Sequence, residues 1–319
     1  MDFDLRGLYR VQGSLSAQES RVSGNWLVSD SAALLNDGTV NLHLQQHNLW
    51  AGSFLCTLKP AIVSAREGTF ASRPDILYKR SYLIPAPGSQ GMETDIVDVL
   101  KAKGLWEQRS RYSKALLGEE AYGQAVQCIG DVCLTIANEY YVHEAGHGLG
   151  YDVDRKSADG YFYPGGRVAP GLIALEELRA DMHAQGWALL ILPEKEAQSV
   201  FVYTTLLRFG VHLEALASGK PAPYGLIPYL LFRELLNAGL ATDCTSGEKM
   251  WVSSPRLLAV MHTLAEAAER RFTIPECTGR DPIEAATPGA RFLREAIDDH
   301  NALDRFHQMM EGALRRLTC

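Results

Sequence analysis

The stretch YVHEAGHGLGYD, residues 141–152, leaves the backbone little choice. Two histidines four apart point both imidazoles at one ion when the chain is helical, because positions i and i+4 then share a face one turn apart. The apolar spacing agrees: Ile136, Tyr140, His143 and His147 fall on one helical stripe. That stripe predicts a helix from about Asp131 to Gly148, ended by Gly148 and Gly150. Gly146 weakens such a helix by about 1 kcal/mol relative to alanine, and its use is to let another segment come close. Glu144 lies one residue round from His143. There it reaches a water held by a metal without binding the metal itself, which is the logic of H-E-x-x-H: two nitrogen ligands and a general base. A helix end with incidental histidines is the bland alternative, and a third ligand decides between the two.

LIALEELRADMHAQGWALLI, residues 172–191, supplies the candidate. Its periodicity predicts a helix with Glu177, Asp181, Ala184 and Ala188 on one stripe and Glu176, Ala180, His183 and Trp187 on the next. Small residues follow the acids, so this face is expected to pack. Buried carboxylates need a cation or a hydrogen-bond network. Glu177 as metal ligand, with Glu176 and Asp181 holding the N–H groups of the ligand histidines, meets that need. A solvated acidic face near a helix N-terminus is the alternative.

Around these helices the hydrophobic period changes once. Residues 1–93 alternate and carry turn chemistry, as at Asn36-Asp37-Gly38 within SAALLNDGTVNLHLQ; SGNWLVSD and YKRSYLIPAP read as further short strands. From about Thr94 the period moves towards 3.6 residues. The expected fold is therefore α+β: a β-rich N-terminal region, 1–93, packed on a mainly helical, zincin-like metal-binding region, 94–319. With 46% apolar and 22% charged residues the chain has the composition of a soluble globular protein. Its start, MDFDLRGLYR, lacks the regions of a signal peptide, and no apolar run approaches 18 residues, so no membrane is expected. A net charge of −7 without a long basic run argues against nucleic acid as a partner. Six cysteines without a CxxC read as buried thiols of a cytoplasmic protein, with a Cys244–Cys277 bridge left open.

HEAGHGLG (143–150) followed by EELRAD (176–181) resembles the dipeptidyl peptidase III family of zinc peptidases. In that family a histidine-glutamate motif runs into G-H-G-x-G and a later helix reads E-E-C-R-A-D or E-E-C-R-A-E. LLFRELLNAG (230–239) resembles the family's I-L-R-V-L-L-E-A-G helix, and FVYTTLLRFG (201–210) is a weaker match. The resemblance covers 143–240. It implies that His143 and His147 are zinc ligands, Glu177 the third ligand, Glu144 the catalytic glutamate, and Glu176 and Asp181 supporting acids. Two departures stand out. This chain has one residue fewer between the histidines than most members. Tyr224 occupies the position of a histidine that stabilises the family's transition state.

The expected function is a zinc-dependent hydrolase with a gluzincin-type centre, one Zn²⁺ per chain, acting on a short peptide or small amide. Tyr224, Tyr203 and His212 are candidates to stabilise the oxyanion. The 150–170 loop, with Tyr161, Tyr163 and Arg167, suits a cleft wall or an ordinary surface connection equally. Two rivals stay open: an Fe²⁺ facial-triad oxygenase, and a non-catalytic binding protein stapled by zinc, which would need a closed fourth ligand such as Cys128 or Cys133.

Overall fold

A computed structural model of the protein describes residues 9–11, 26–30, 56–67, 77–78, 93–148, parts of 177–189, 192–219, 225–237 and 295–318. The chain divides into two compact units, taken here in turn: Met1–Trp106 with Asp131–Glu144, and Glu107–Gly130 with Ala145–Cys319.

In the first unit the described strands are β1 (Tyr9–Val11), β2 (Trp26–Asp30), β3 (Cys56–Glu67), β4 (Leu77–Tyr78) and β5 (Glu93–Asp98), paired in the order β1-β2-β3-β5-β4. The first half of β3 runs parallel to β5, from Cys56 opposite Glu93 to Ala61 opposite Asp98; its second half runs antiparallel to β2. Among the described strands Pro60 of β3 has only β5 beside it, an edge at which a missing N–H is tolerated. Helix α1 (Val99–Leu117) follows β5 without a loop. Asp98 makes the switch: its carboxylate accepts the Lys101 N–H at 3.1 Å, an N-cap bond that satisfies one of the donors a helix leaves open at its start.

Two expectations are corrected. The β-rich N-terminal part packed on a helical part is not what the structure shows. Helices dominate the described residues, and the strands described before Glu93 cover a minor part of that region and do not establish a β-rich N-terminal part. The largest fully buried side chains, Phe201, Phe209, Ile136, Leu178 and Leu206, all belong to helices. Alternation before Glu93 is a local period, and a local period does not by itself bury a face. The second correction concerns the boundary: the helical period expected from Thr94 starts at Val99, because Thr94, Ile96 and Val97 are β-branched and favour the strand that Asp98 ends. The hairpin expected at Asn36-Asp37-Gly38 and the 150–170 loop lie outside the described residues.

In the second unit the end of α1 is followed by α2 (Glu119–Gln127), and Gly118, at φ +79°, makes the break that divides what the sequence read as one helical stretch. Helix α3 (Val132–Gly148) belongs to the first unit up to Glu144. Helix α4 (Glu194–Ser218) starts after Pro193 and stops at Gly219, φ +64°, in the left-handed conformation typical of a C-terminal glycine. Helices α5 (Leu226–Asn237) and α6 (His300–Thr318) pack on α4 through Phe306, whose ring lies 5.5 Å from those of Tyr229 and Phe232 and 6.5 Å from that of Phe209. The sequence read 292–317 as one helix. The structure restarts it at His300, where Asp299 caps α6 by accepting the Ala302 N–H at 3.1 Å. That bond, with Arg233 beside it, holds the Asp299 carboxyl below the ordinary carboxylate range. Arg316 donates to the carbonyls of Ala115 and Leu116, placing a cation at the C-terminal end of α1. Helix α4 has the length and apolarity of a membrane-crossing helix, yet Val200, Phe201, Val202, Leu206 and Phe209 are buried as in a core helix.

Helices α1 and α4 meet at Gly210. A Cβ there would stand 2.9 Å from Ser113 Oγ, which itself donates to the Leu206 carbonyl at 3.1 Å. Gly210→Ala is therefore expected to lower unfolding stability by about 1–3 kcal/mol, the usual range for overpacking. In urea titrations Ser113→Ala combined with Gly210→Ala should lose less than the two single changes added together; strict additivity would contradict the close-contact account.

Candidate metal centre

Helix α3 begins where its chemistry requires. Asp131 Oδ1 accepts the Leu134 N–H at 3.0 Å, and Thr135 Oγ1 donates to the Asp131 carbonyl at 2.8 Å. The turn before it is tied to α4 by Ser199, whose Oγ accepts the Gly130 N–H at 3.3 Å and donates to the Cys128 carbonyl at 2.8 Å. Along α3, Thr135, Glu139 and His143 follow one another at i, i+4 and i+8, and all three are buried. Glu144 and His147 lie further along the same helical backbone; their side chains are outside the described part.

The acids downstream sit on a stretch described as helical at several positions between 177 and 189. Asp181, Ala184 and Ala188 are buried, as the packed stripe expects, and Glu177 is half-buried. Arg208 of α4 reaches this face. Its Nε donates to Asp181 Oδ2 at 2.7 Å and its Nη2 to Oδ1 at 2.9 Å, a two-point grip on one carboxylate. The same Nη2 stands 3.7 Å from Glu177 Oε2, within ion-pair range and too far for a hydrogen bond. Gln185, one turn beyond Asp181, is buried with an Oε1 that has no hydrogen-bond partner among the described residues.

Glu139 and His143 of the first unit and Asp181 of the second are each buried, and each carries an atom able to bind a metal ion. One imidazole and two carboxylates form a donor set suited to Zn²⁺, Fe²⁺ or Mn²⁺. Two buried carboxylates need compensating charge. Arg208 supplies one positive charge at Asp181, and a divalent cation fits what the group can hold. His143 was expected as a ligand and Asp181 as a supporting acid. Glu139 was missed, although it stands four residues before His143. The sequence carried that signal, but the stripe was drawn through Ile136 and Tyr140. Arg208 was missed because a pairing across 27 residues leaves no local period. Glu176 and Tyr224 lie outside the described residues.

Of the other oxyanion candidates, Tyr203 is buried in α4. His212, also on α4, stacks on Phe306 with ring centroids 5.5 Å apart, and its buried Nδ1 has no hydrogen-bond partner among the described residues. Burial first, and then the neighbouring His307, hold its pKa below the ordinary histidine value. The folded state thus favours the neutral ring. Its contribution to stability is complete above the unfolded value of about 6.5 and is lost as pH falls below that value towards the folded pKa. Urea midpoints measured down a pH series should fall in that window, and His212→Gln should flatten the fall. An unchanged slope in the variant would assign the pH dependence elsewhere.

No family model matches the chain, and no curated protein matches it. Among solved structures, the dipeptidyl-peptidase III from Corallococcus sp. strain EGB is similar across 90% of this chain, with 14% identity and a TM-score of 0.48. This chain covers 53% of that structure, about half its length. At that distance the likeness does not show family membership.

Proposed function

We propose that this chain is a zinc-dependent hydrolase of a peptide or small amide substrate. The observation that carries the reading is the buried pair Glu139 and His143, one turn apart on the helix that bears the H-E-x-x-H spacing. In this reading His143, His147 and Glu177 hold the ion, and Tyr224 stabilises the oxyanion. Asp181 is already gripped by Arg208 through both oxygens. That suits it better to orienting His143 than to serving as the third ligand, since a carboxylate's remaining lone pairs can still accept an imidazole N–H. Glu139 and Glu176 complete the supporting acids. Zinc, when bound, supplies a Lewis acid that polarises the scissile carbonyl and brings the pKa of a coordinated water to about 7. Glu144 accepts the proton of the attacking water and returns it to the leaving amine as the C–N bond breaks.

The test is elemental analysis of protein purified without added metal, followed by assay of a graded series of amides before and after chelation. Zinc at one equivalent, with hydrolysis lost on chelation and restored by zinc, supports the proposal. Iron with oxygen consumption would turn the same donors into an oxygenase centre. Zinc without hydrolysis of any amide would leave a zinc-stapled binding protein, and absence of any metal would leave an ion-pair network.

A further inference from the structure

A basic side chain from a different helix meets the acids of 177–189, and it reaches two of them. Glu177 and Asp181 stand one turn apart, so their charges repel across the same face. Arg208 meets Asp181 with both arms of its guanidinium, at 2.7 and 2.9 Å, and lies 3.7 Å from Glu177. All three side chains are largely withdrawn from solvent, at 16%, 5% and 19% exposure for Arg208, Asp181 and Glu177. A planar fork fixes both the position and the plane of a carboxylate, which a point charge does not do. Arg208 sits at the middle of α4, a helix buried along most of its length, so the fork is held by packing as well as by charge.

We infer that Arg208 is a positioning residue of the metal centre, acting through Asp181 to fix the carboxylate face that serves the ion. This rests on the metal reading above. Arg208 does not touch the ion; it removes the freedom of Asp181 to rotate and offsets the repulsion between Asp181 and Glu177. Loss of such an outer partner typically lowers metal affinity by about 10–100-fold.

The experiment compares wild type with Arg208→Lys, Arg208→Met, Asp181→Asn and the double change of Arg208→Lys with Asp181→Asn. Zinc affinity is read by competition with a chelator, the ligand field by the absorption of the cobalt-substituted protein, and stability by urea unfolding of the metal-free protein. Arg208→Met strands a buried carboxylate and is the variant at risk of not folding; Arg208→Lys keeps the charge and loses the fork. The expected result is an affinity loss of about 10–100-fold in Arg208→Lys, with a shifted cobalt spectrum and near-wild-type stability without metal. In the Asp181→Asn background the same change should have little further effect. Wild-type affinity and an unshifted spectrum in Arg208→Lys would overturn the inference while leaving the metal reading intact. A wild-type protein that binds neither zinc nor cobalt would overturn the metal reading, and this inference with it.

Discussion

If the proposed zinc hydrolase reading holds, alanine at position 143 should abolish metal binding and, with it, hydrolysis. His143 is buried on α3, one turn after Glu139, and is one of the three protein ligands of the proposed centre. Without it the proposed centre keeps one imidazole, His147, and one carboxylate, Glu177, too few protein ligands to hold zinc firmly. Zinc affinity should fall by more than the roughly 100-fold that loss of a merely supporting residue costs. The thermal shift that zinc gives the wild type, which follows the ratio of free metal to its dissociation constant, should vanish. Helix content by circular dichroism should persist, since α3 is also held by Ile136, Ala137 and Val142 in the core and by the Asp131 cap. One equivalent of zinc in purified His143→Ala would remove His143 from the ligands.

The helices were legible in the sequence where their signals are local. The HEAGH spacing and the apolar stripe marked α3 to within a residue at each end, because the Asp131 cap and the glycines at 148 and 150 write the ends into the chain. The end of α5 at Asn237 was legible for the same reason, from the small residues that follow it. Other features depend on competition between signals. Asp299 reads as one more charge on an amphipathic face, yet it caps a new helix. The β-rich N-terminal part was inferred from alternation and turn chemistry, local signals that cannot report whether strands gather into a core. In the site, the acids on 177–189 and the histidines on 143–147 were visible as patterns. What grips Asp181 was not, since Arg208 is brought to it by the packing of α4.

In the proposed mechanism, glutamine at position 144 should keep the metal and the fold and stop the chemistry. Glu144 follows His143 in the H-E-x-x-H spacing, in which a general base stands beside, not among, the ligand histidines. The exchange of carboxylate for amide preserves volume and helix propensity almost unchanged. It removes the negative charge and the ability to take a proton. Zinc content and urea stability of Glu144→Gln should therefore match wild type, while kcat falls by about 10²–10⁴-fold, the usual share of a general base. KM should move little, because a residue that acts only on the attacking water does not hold the substrate. The acidic limb of the kcat/KM profile should disappear as well, because the base that titrates there is gone. The comparison with His143→Ala separates the roles: one variant loses metal and rate together, the other loses rate alone. Near-normal turnover of an identified amide by Glu144→Gln, with zinc still bound, would show that the proton is taken elsewhere and would end the H-E-x-x-H reading of this helix.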